Sequence, residues 1–113
     1  MDNRNILISA NRALLDGNFE QFISYCTDDI RWENVGENIF NGKAELLGYV
    51  SSAYDGVTFT TENYIQNNDT VVELGQIEFK KDSGSEKSSY CDIWSFKDGL
   101  ISELRSFVIA QTP

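Results

Sequence analysis

Histidine is absent from this chain. That absence excludes a Ser-His-Asp triad, a Cys-His dyad and a histidine-ligated zinc together. Proline occurs once, and no proline-rich linker, repeat or low-complexity tract interrupts the 113 residues, so the expectation is a single domain, 1–113. The two cysteines, Cys26 and Cys91, are far apart and lack CxxC spacing, which suits reduced, buried thiols. Basic residues are few. Nine Lys and Arg against eighteen Asp and Glu leave a net charge of −9, which disfavours nucleic acid and anionic membrane as partners. No apolar run approaches a membrane span, and the start Met1-Asp2-Asn3-Arg4-Asn5 lacks the pattern of a signal peptide. A soluble, cytoplasmic protein is expected. GxGxxG, P-loop and EF-hand patterns are missing too, so neither a cofactor nor a metal is expected.

What is present is a folded-domain composition, 41% hydrophobic and 12% aromatic, too apolar for an acidic disordered tail. Ile6, Ala10, Ala13 and Leu14 recur at helical spacing and Asp16-Gly17 supplies the stop. Asn18 with Gln21 resembles a capping box for a second helix, with Phe19, Phe22, Ile23 and Cys26 as its stripe and Asp28-Asp29 at its end. Residues 30–34 alternate as a short strand. Asn41-Gly42 precedes a third helix with Leu46, Leu47, Val50 and Tyr54 on one face, ended by Asp55-Gly56. The remainder reads as strands at 57–66, 70–81, 88–96 and 100–110. Turns separate them at 67–69, at the polar tip Asp82-Ser83-Gly84-Ser85 and at Lys97-Asp98-Gly99. Helices followed by a meander predict an α+β fold, the helices packed on one face of a curved antiparallel sheet.

Period two sorts each strand into faces. Val71, Glu73, Gly75, Ile77 and Phe79 share one, and Tyr90, Asp92, Trp94 and Phe96 another. Ile30, Trp32 and Asn34 share a third, while Leu104, Ser106 and Val108 lie opposite Arg105 and Phe107. Glu73 and Asp92 are thus carboxylates in apolar rows. Polar groups among aromatics on a concave sheet face suit a small-molecule pocket. A one-residue slip or bulge would instead turn Glu73 outward.

Four segments, in order, carry a resemblance. They are Leu14-Leu15-Asp16-Gly17-Asn18-Phe19-Glu20-Gln21-Phe22, Tyr25-Cys26-Thr27-Asp28-Asp29-Ile30-Arg31-Trp32-Glu33, Phe40-Asn41-Gly42-Lys43-Ala44-Glu45-Leu46, and the run from Asp92 to Arg105. The set resembles the nuclear transport factor 2-like superfamily in its SnoaL-like, ketosteroid-isomerase-related branch. The resemblance implies a cone-shaped curved antiparallel sheet, an α-β barrel, with three N-terminal helices closing an internal pocket, and a homodimer. In the isomerase a carboxylate base follows the first strand; the matching position here is Asn34, with Glu33 just before it. The isomerase's oxyanion-hole tyrosine matches about Ala10, and its protonated aspartic acid matches Asp92. One role of three survives, so a standard ketosteroid isomerase is not implied. A SnoaL-like small-molecule-binding protein is, with isomerase, cyclase or dehydratase chemistry by proton transfer on a carbonyl compound. The alternative is a non-catalytic ligand-binding or dimerisation domain.

The candidate residues follow. Asp92 would donate to a ligand carbonyl, or else be a carboxylate satisfied by backbone or a Tyr hydroxyl. Glu73, or Glu33, would be the base. Trp32, Tyr90 and Trp94 would present an aromatic surface to a small apolar or aromatic molecule, or pack a core. Asn34 is either a ligand contact or a strand-end turn residue. Leu104 and Ser106 continue the pocket wall, and Tyr49, Tyr54 and Tyr64 rim the mouth. Arg105 suits an ion pair on the outer sheet face. That face, with Ile101, Arg105, Phe107 and Ile109, is apolar enough to predict a homodimer through it.

Overall fold

The computed structural model describes residues 2–81 and 84–111, the side chain of Lys81 excepted, so part of the tip expected at 82–85 lies outside the described residues. Asp2 caps helix α1 (Asn3–Leu15) by accepting the Asn5 amide, and the helix stops at Asp16 and Gly17, the latter at φ 75°. The stripe it buries is Leu7, Ala10, Asn11, Ala13 and Leu14, so one amide side chain is carried into the interior. Helix α2 (Phe19–Ser24) has the expected cap: Asn18 Oδ1 accepts the Gln21 amide and its Nδ2 donates to Gln21 Oε1. Helix α3 (Gly42–Ala53) buries Leu46 and Val50.

The strands are β1 (Cys26–Asn34), β2 (Asn38–Asn41), β3 (Thr58–Asn67), β4 (Thr70–Lys81), β5 (Gly84–Lys97) and β6 (Leu100–Ala110). They form one curved sheet in the order β2-β1-β6-β5-β4-β3. The α+β class is as expected, but the sheet is open, with β2 and β3 at its edges, and does not close into a barrel. Nor is every neighbour antiparallel. The chain leaves β1 through β2 and α3 and joins the meander at its far edge, so β1 is left to pair parallel with the last strand, β6. Cys26 opens β1 and does not complete the α2 stripe. The Tyr25 amide closes α2 onto Phe22, while the Tyr25 carbonyl accepts the Ile101 amide at 2.8 Å and draws the chain straight into the sheet. Asp28 and Asp29 therefore lie inside a strand. Strand β2, four residues long, offered too short an alternation to be read from sequence.

Alternation in β4 is unbroken: Val71, Glu73, Gly75 and Ile77 are all buried, and Glu73 faces Asp92 across β4 and β5. Two bulges reset the faces elsewhere. The register of β3 against β4 shifts between Thr61 and Asn63, which turns both Thr61 and Tyr64 inward although they are an odd number of residues apart. The register of β5 against β6 shifts between Ser95 and Phe96, and this turns Ile101 into the core, fully buried beside Leu104. Ile101 is therefore not part of the outer face to which strict alternation assigned it.

That outer face carries charges of both signs. Arg31 Nη1 pairs with Glu33 at 3.1 Å and Glu103 at 3.0 Å, and Arg105 Nε reaches Glu33 at 3.6 Å. On the inner side Trp32 meets Phe22, Tyr49, Tyr54 and Trp94 edge-on at 5.8–6.1 Å. Such ring pairs contribute about 0.5–1.5 kcal/mol each beyond their buried area. They lock α2 and α3 onto the sheet.

Candidate functional site

Four donors converge on one buried carboxylate. Glu73 is 1% exposed. Its Oε1 accepts from Asn11 Nδ2 at 3.0 Å and Trp94 Nε1 at 3.1 Å; its Oε2 accepts from Tyr90 OH at 2.6 Å and Thr61 Oγ1 at 2.8 Å. The four donors come from three elements: Asn11 from α1, Tyr90 and Trp94 from β5, and Thr61 from the bulge of β3. Two carboxylate oxygens offer about four acceptor positions, and all are taken. The Tyr90 phenol is raised first by burial and then by the charge of Glu73.

Asp92, the cross-strand partner, is satisfied on one side only. Ser106 Oγ donates to its Oδ1 at 2.6 Å, while Oδ2 has no protein hydrogen-bond partner among the described residues. Burial pushes the Asp92 carboxyl up to about 8; the Ser106 hydrogen bond opposes the rise and the charge of Glu73 adds to it. At neutral pH Asp92 is accordingly a neutral acid. With Ser106 holding Oδ1, the proton falls to Oδ2. Tyr54, at the end of α3, lines the same cavity, and its phenol is held well above the usual range by burial and then by Asp92. Two neutral O–H donors therefore face one space.

That space has two chambers. The inner one, walled by Asn11, Glu73, Tyr90, Asp92, Trp94 and Ser106 among others, offers about 20 Å³ to the centre of a water, enough for one molecule. The outer one, about 330 Å³ by the same measure, opens between Asn34, Glu37, Tyr49 and the far ends of β4, β5 and β6. Tyr54, Ile77, Ser106 and Val108 belong to both walls, so the chambers adjoin. Among the described residues no Lys or Arg lines either, and no group of three or more Cys, Asp or Glu is placed to hold a metal ion.

Of the residues picked from sequence, Glu73, Tyr90, Asp92, Trp94 and Ser106 meet in the inner chamber, and Asn34 stands at the outer one. Asn34 accepts from Trp32 Nε1 and donates to Asn38 and to Tyr49 OH, tying the end of β1 to α3. Trp32 and Leu104 are fully packed behind the chambers and do not line them. Glu33 is engaged with Arg31 and Arg105 on the other side of the sheet. Tyr49 and Tyr54 line the outer chamber as expected for rim residues, whereas Tyr64 lines neither chamber, accepting from Asn11 and donating to Thr61. Asn11 and Thr61 were not anticipated. The first shows in the sequence as an amide within an apolar helical stripe; the second is hidden by the bulge. Cys26 is pushed up to about 12 by burial, and the Cys91 thiol is raised as well, mainly by burial.

The neutral state of Asp92 has a measurable consequence. Between its ordinary range near 4 and about 8, the folded protein binds a proton on Asp92 that the unfolded chain has lost. Its contribution to stability is thus full below that window and declines as pH rises through it, by at most about 1.4 kcal/mol per pH unit. Chemical denaturation of the wild type and Asp92→Asn across that range checks this: the wild type loses stability with rising pH, and the variant lacks that component.

An open six-stranded sheet, wrapped by three helices around a polar cavity, defines the nuclear transport factor 2-like fold. A model of the SnoaL-like domain matches residues 9–104, and the chain belongs to that family. No curated protein matches it. Among solved structures, an NTF2-like protein of unknown function from Cytophaga hutchinsonii is 26% identical over 93% of this chain and 97% of its own, with a TM-score of 0.78. An LEH-like epoxide hydrolase from M. tuberculosis is 16% identical, covering 92% of this chain and 80% of its own at a TM-score of 0.83. The epoxide hydrolase/cyclase-like enzyme SalBIII, described for pyran ring formation in the polyether salinomycin, is 18% identical over 96% and 95% at 0.83. Among the described residues no helix is long and apolar enough to cross a membrane.

Proposed function

We propose that this chain, read as one domain, binds a small, largely apolar molecule in the outer chamber with an oxygen of that molecule held by Asp92 and Tyr54, and that Asp92 gives that oxygen a proton. The observation that carries the reading is the half-satisfied, buried Asp92, whose Oδ2 is left without a protein partner among the described residues. Glu73 is not suited to be the base, since its acceptor positions are filled. An acid without a free base fits the opening of a strained carbon–oxygen ring better than proton abstraction from carbon. The names of two structural neighbours, an epoxide hydrolase and an epoxide hydrolase/cyclase-like enzyme, point the same way. In such a step the Oδ2 proton passes to the departing oxygen while a water or a hydroxyl of the substrate closes on carbon. The proton released by that nucleophile returns to Asp92. Turnover of a small epoxide such as styrene oxide tests this. The rate should fall above pH about 8 as Asp92 ionises, Asp92→Asn should lower it roughly a hundredfold, and Tyr54→Phe roughly tenfold. Undiminished turnover in Asp92→Asn removes the proposal.

The filled acceptors of Glu73 and the one-water inner chamber also support a second reading, a ligand-binding domain without turnover. In that case Asp92→Asn changes affinity, and the wild type converts none of the molecules it binds.

We also propose a homodimer through the outer sheet face. Ile65 and Ile109 are 50% and 71% exposed there. Arg31 and Arg105 balance Glu33 and Glu103, so a second copy meets no excess of like charge despite the −9 of the whole chain. Sedimentation at micromolar concentration should give twice the chain mass, and Ile109→Lys should give the monomer. The two free thiols suit a reducing compartment, and we place the protein in the cytoplasm.

A further inference from the structure

We propose, granted the reading of Asp92 as the ligand's contact, that the buried Glu73 carboxylate selects the charge of the ligand: the cavity takes an uncharged molecule offering an oxygen acceptor and rejects its anionic analogue. Glu73 receives four hydrogen bonds, but all come from neutral groups, so its charge is solvated and not cancelled. The groups that line the inner chamber with Asp92 include Glu73 on β4, Tyr90 on β5, Ser106 on β6, Asn11 on α1 and Tyr54, the residue that caps α3. None is a cation. The arginines nearest in the sheet, Arg31 and Arg105, are spent on Glu33 across the other face. A carboxylate or phenolate placed against Asp92 Oδ2 would therefore stand beside a second negative charge in a space that admits a single water. A ketone, aldehyde or cyclic ether in the same place meets two O–H donors and no repulsion. The residue that looked like a base in the sequence thus becomes a determinant of specificity, acting on the ligand's charge without touching its reacting atoms.

Acetophenone and benzoate share a shape and differ by one charge, so they serve as probes. Each is titrated against isotope-labelled protein at neutral pH, following the backbone amides of Asp92 and Ser106. Acetophenone should shift these amides saturably, and benzoate should bind more weakly by on the order of tenfold or more. Benzoate should gain affinity as pH is lowered and it becomes benzoic acid. In Glu73→Gln the gap between the two probes should narrow. Equal or tighter binding of benzoate to the wild type overturns the charge selection while leaving the site reading in place. An unchanged gap in a folded Glu73→Gln overturns the assignment to Glu73. If that variant does not fold, the pH series on the wild type decides: benzoate affinity that stays flat as pH falls overturns the proposal. Should neither probe move these amides, the reading of Asp92 as a ligand contact falls, and this inference with it.

Discussion

Glu73→Leu should unfold about 4 kcal/mol more easily than the wild type, a fall in Tm on the order of 15 °C. Two effects oppose each other. Removing a buried charge from a low-dielectric interior is favourable in itself, and a leucine fills much of the volume. Against that, Trp94 Nε1 and Asn11 Nδ2 are held by the packing of β5 and α1 and lose their carboxylate acceptor, and Tyr90 and Thr61 lose their short bonds as well. Stranded donors cost more than the charge did. Glu73→Gln keeps one acceptor oxygen and should lose about half as much. Urea denaturation of both variants checks this. A loss below about 1 kcal/mol in Glu73→Leu would mean that the four donors find other partners.

Gly75→Ala should cost about 3 kcal/mol or more, for a reason unrelated to charge. A methyl group there would lie 2.4 Å from the Thr60 carbonyl oxygen and 2.5 Å from the Tyr90 hydroxyl. The first is backbone in the β3–β4 ladder, and it can retreat only by breaking that pairing. The second can retreat only by leaving Glu73, to which it donates at 2.6 Å. The lack of a side chain at 75 is what lets the phenol lie across β4. Thermal unfolding of Gly75→Ala, beside Gly48→Ala as a control at a helical glycine with nothing within 4 Å, separates this clash from any general effect of the substitution.

Alternation alone placed Glu73, Asp92, Trp94 and Ser106 on inner faces, because the β4–β5 and β5–β6 ladders run without a break through the site. It failed where the ladder slips. Ile101 moved to the core and Thr61 onto Glu73 through bulges, and a bulge leaves little trace in residue type. The helices were legible from caps and stripes, down to the pairing of Asn18 with Gln21. Cys26 was misplaced because an apolar residue after a helix fits either its last turn or a strand, and a tertiary hydrogen bond from Ile101 decides between them. The role of Glu73 was not legible either. A carboxylate in an apolar row shows that a polar group is buried, while the number of donors around it depends on Asn11 and Thr61, which are distant in sequence.

The parallel pairing of β1 with β6 bears on how the chain comes to be folded. The first strand has its neighbour on that side only when the last strand exists, with Cys26 waiting for Ile101 and Trp32 for Leu104. During synthesis, β1, β2 and the helices emerge long before that partner, and the open flank of β1 stays exposed until β6 arrives to fill the gap between it and β5. Contacts this far apart in sequence slow the final closure. Loss of β6 would also remove Ser106, so an incomplete chain lacks both the seam of its sheet and the hydroxyl that holds Asp92.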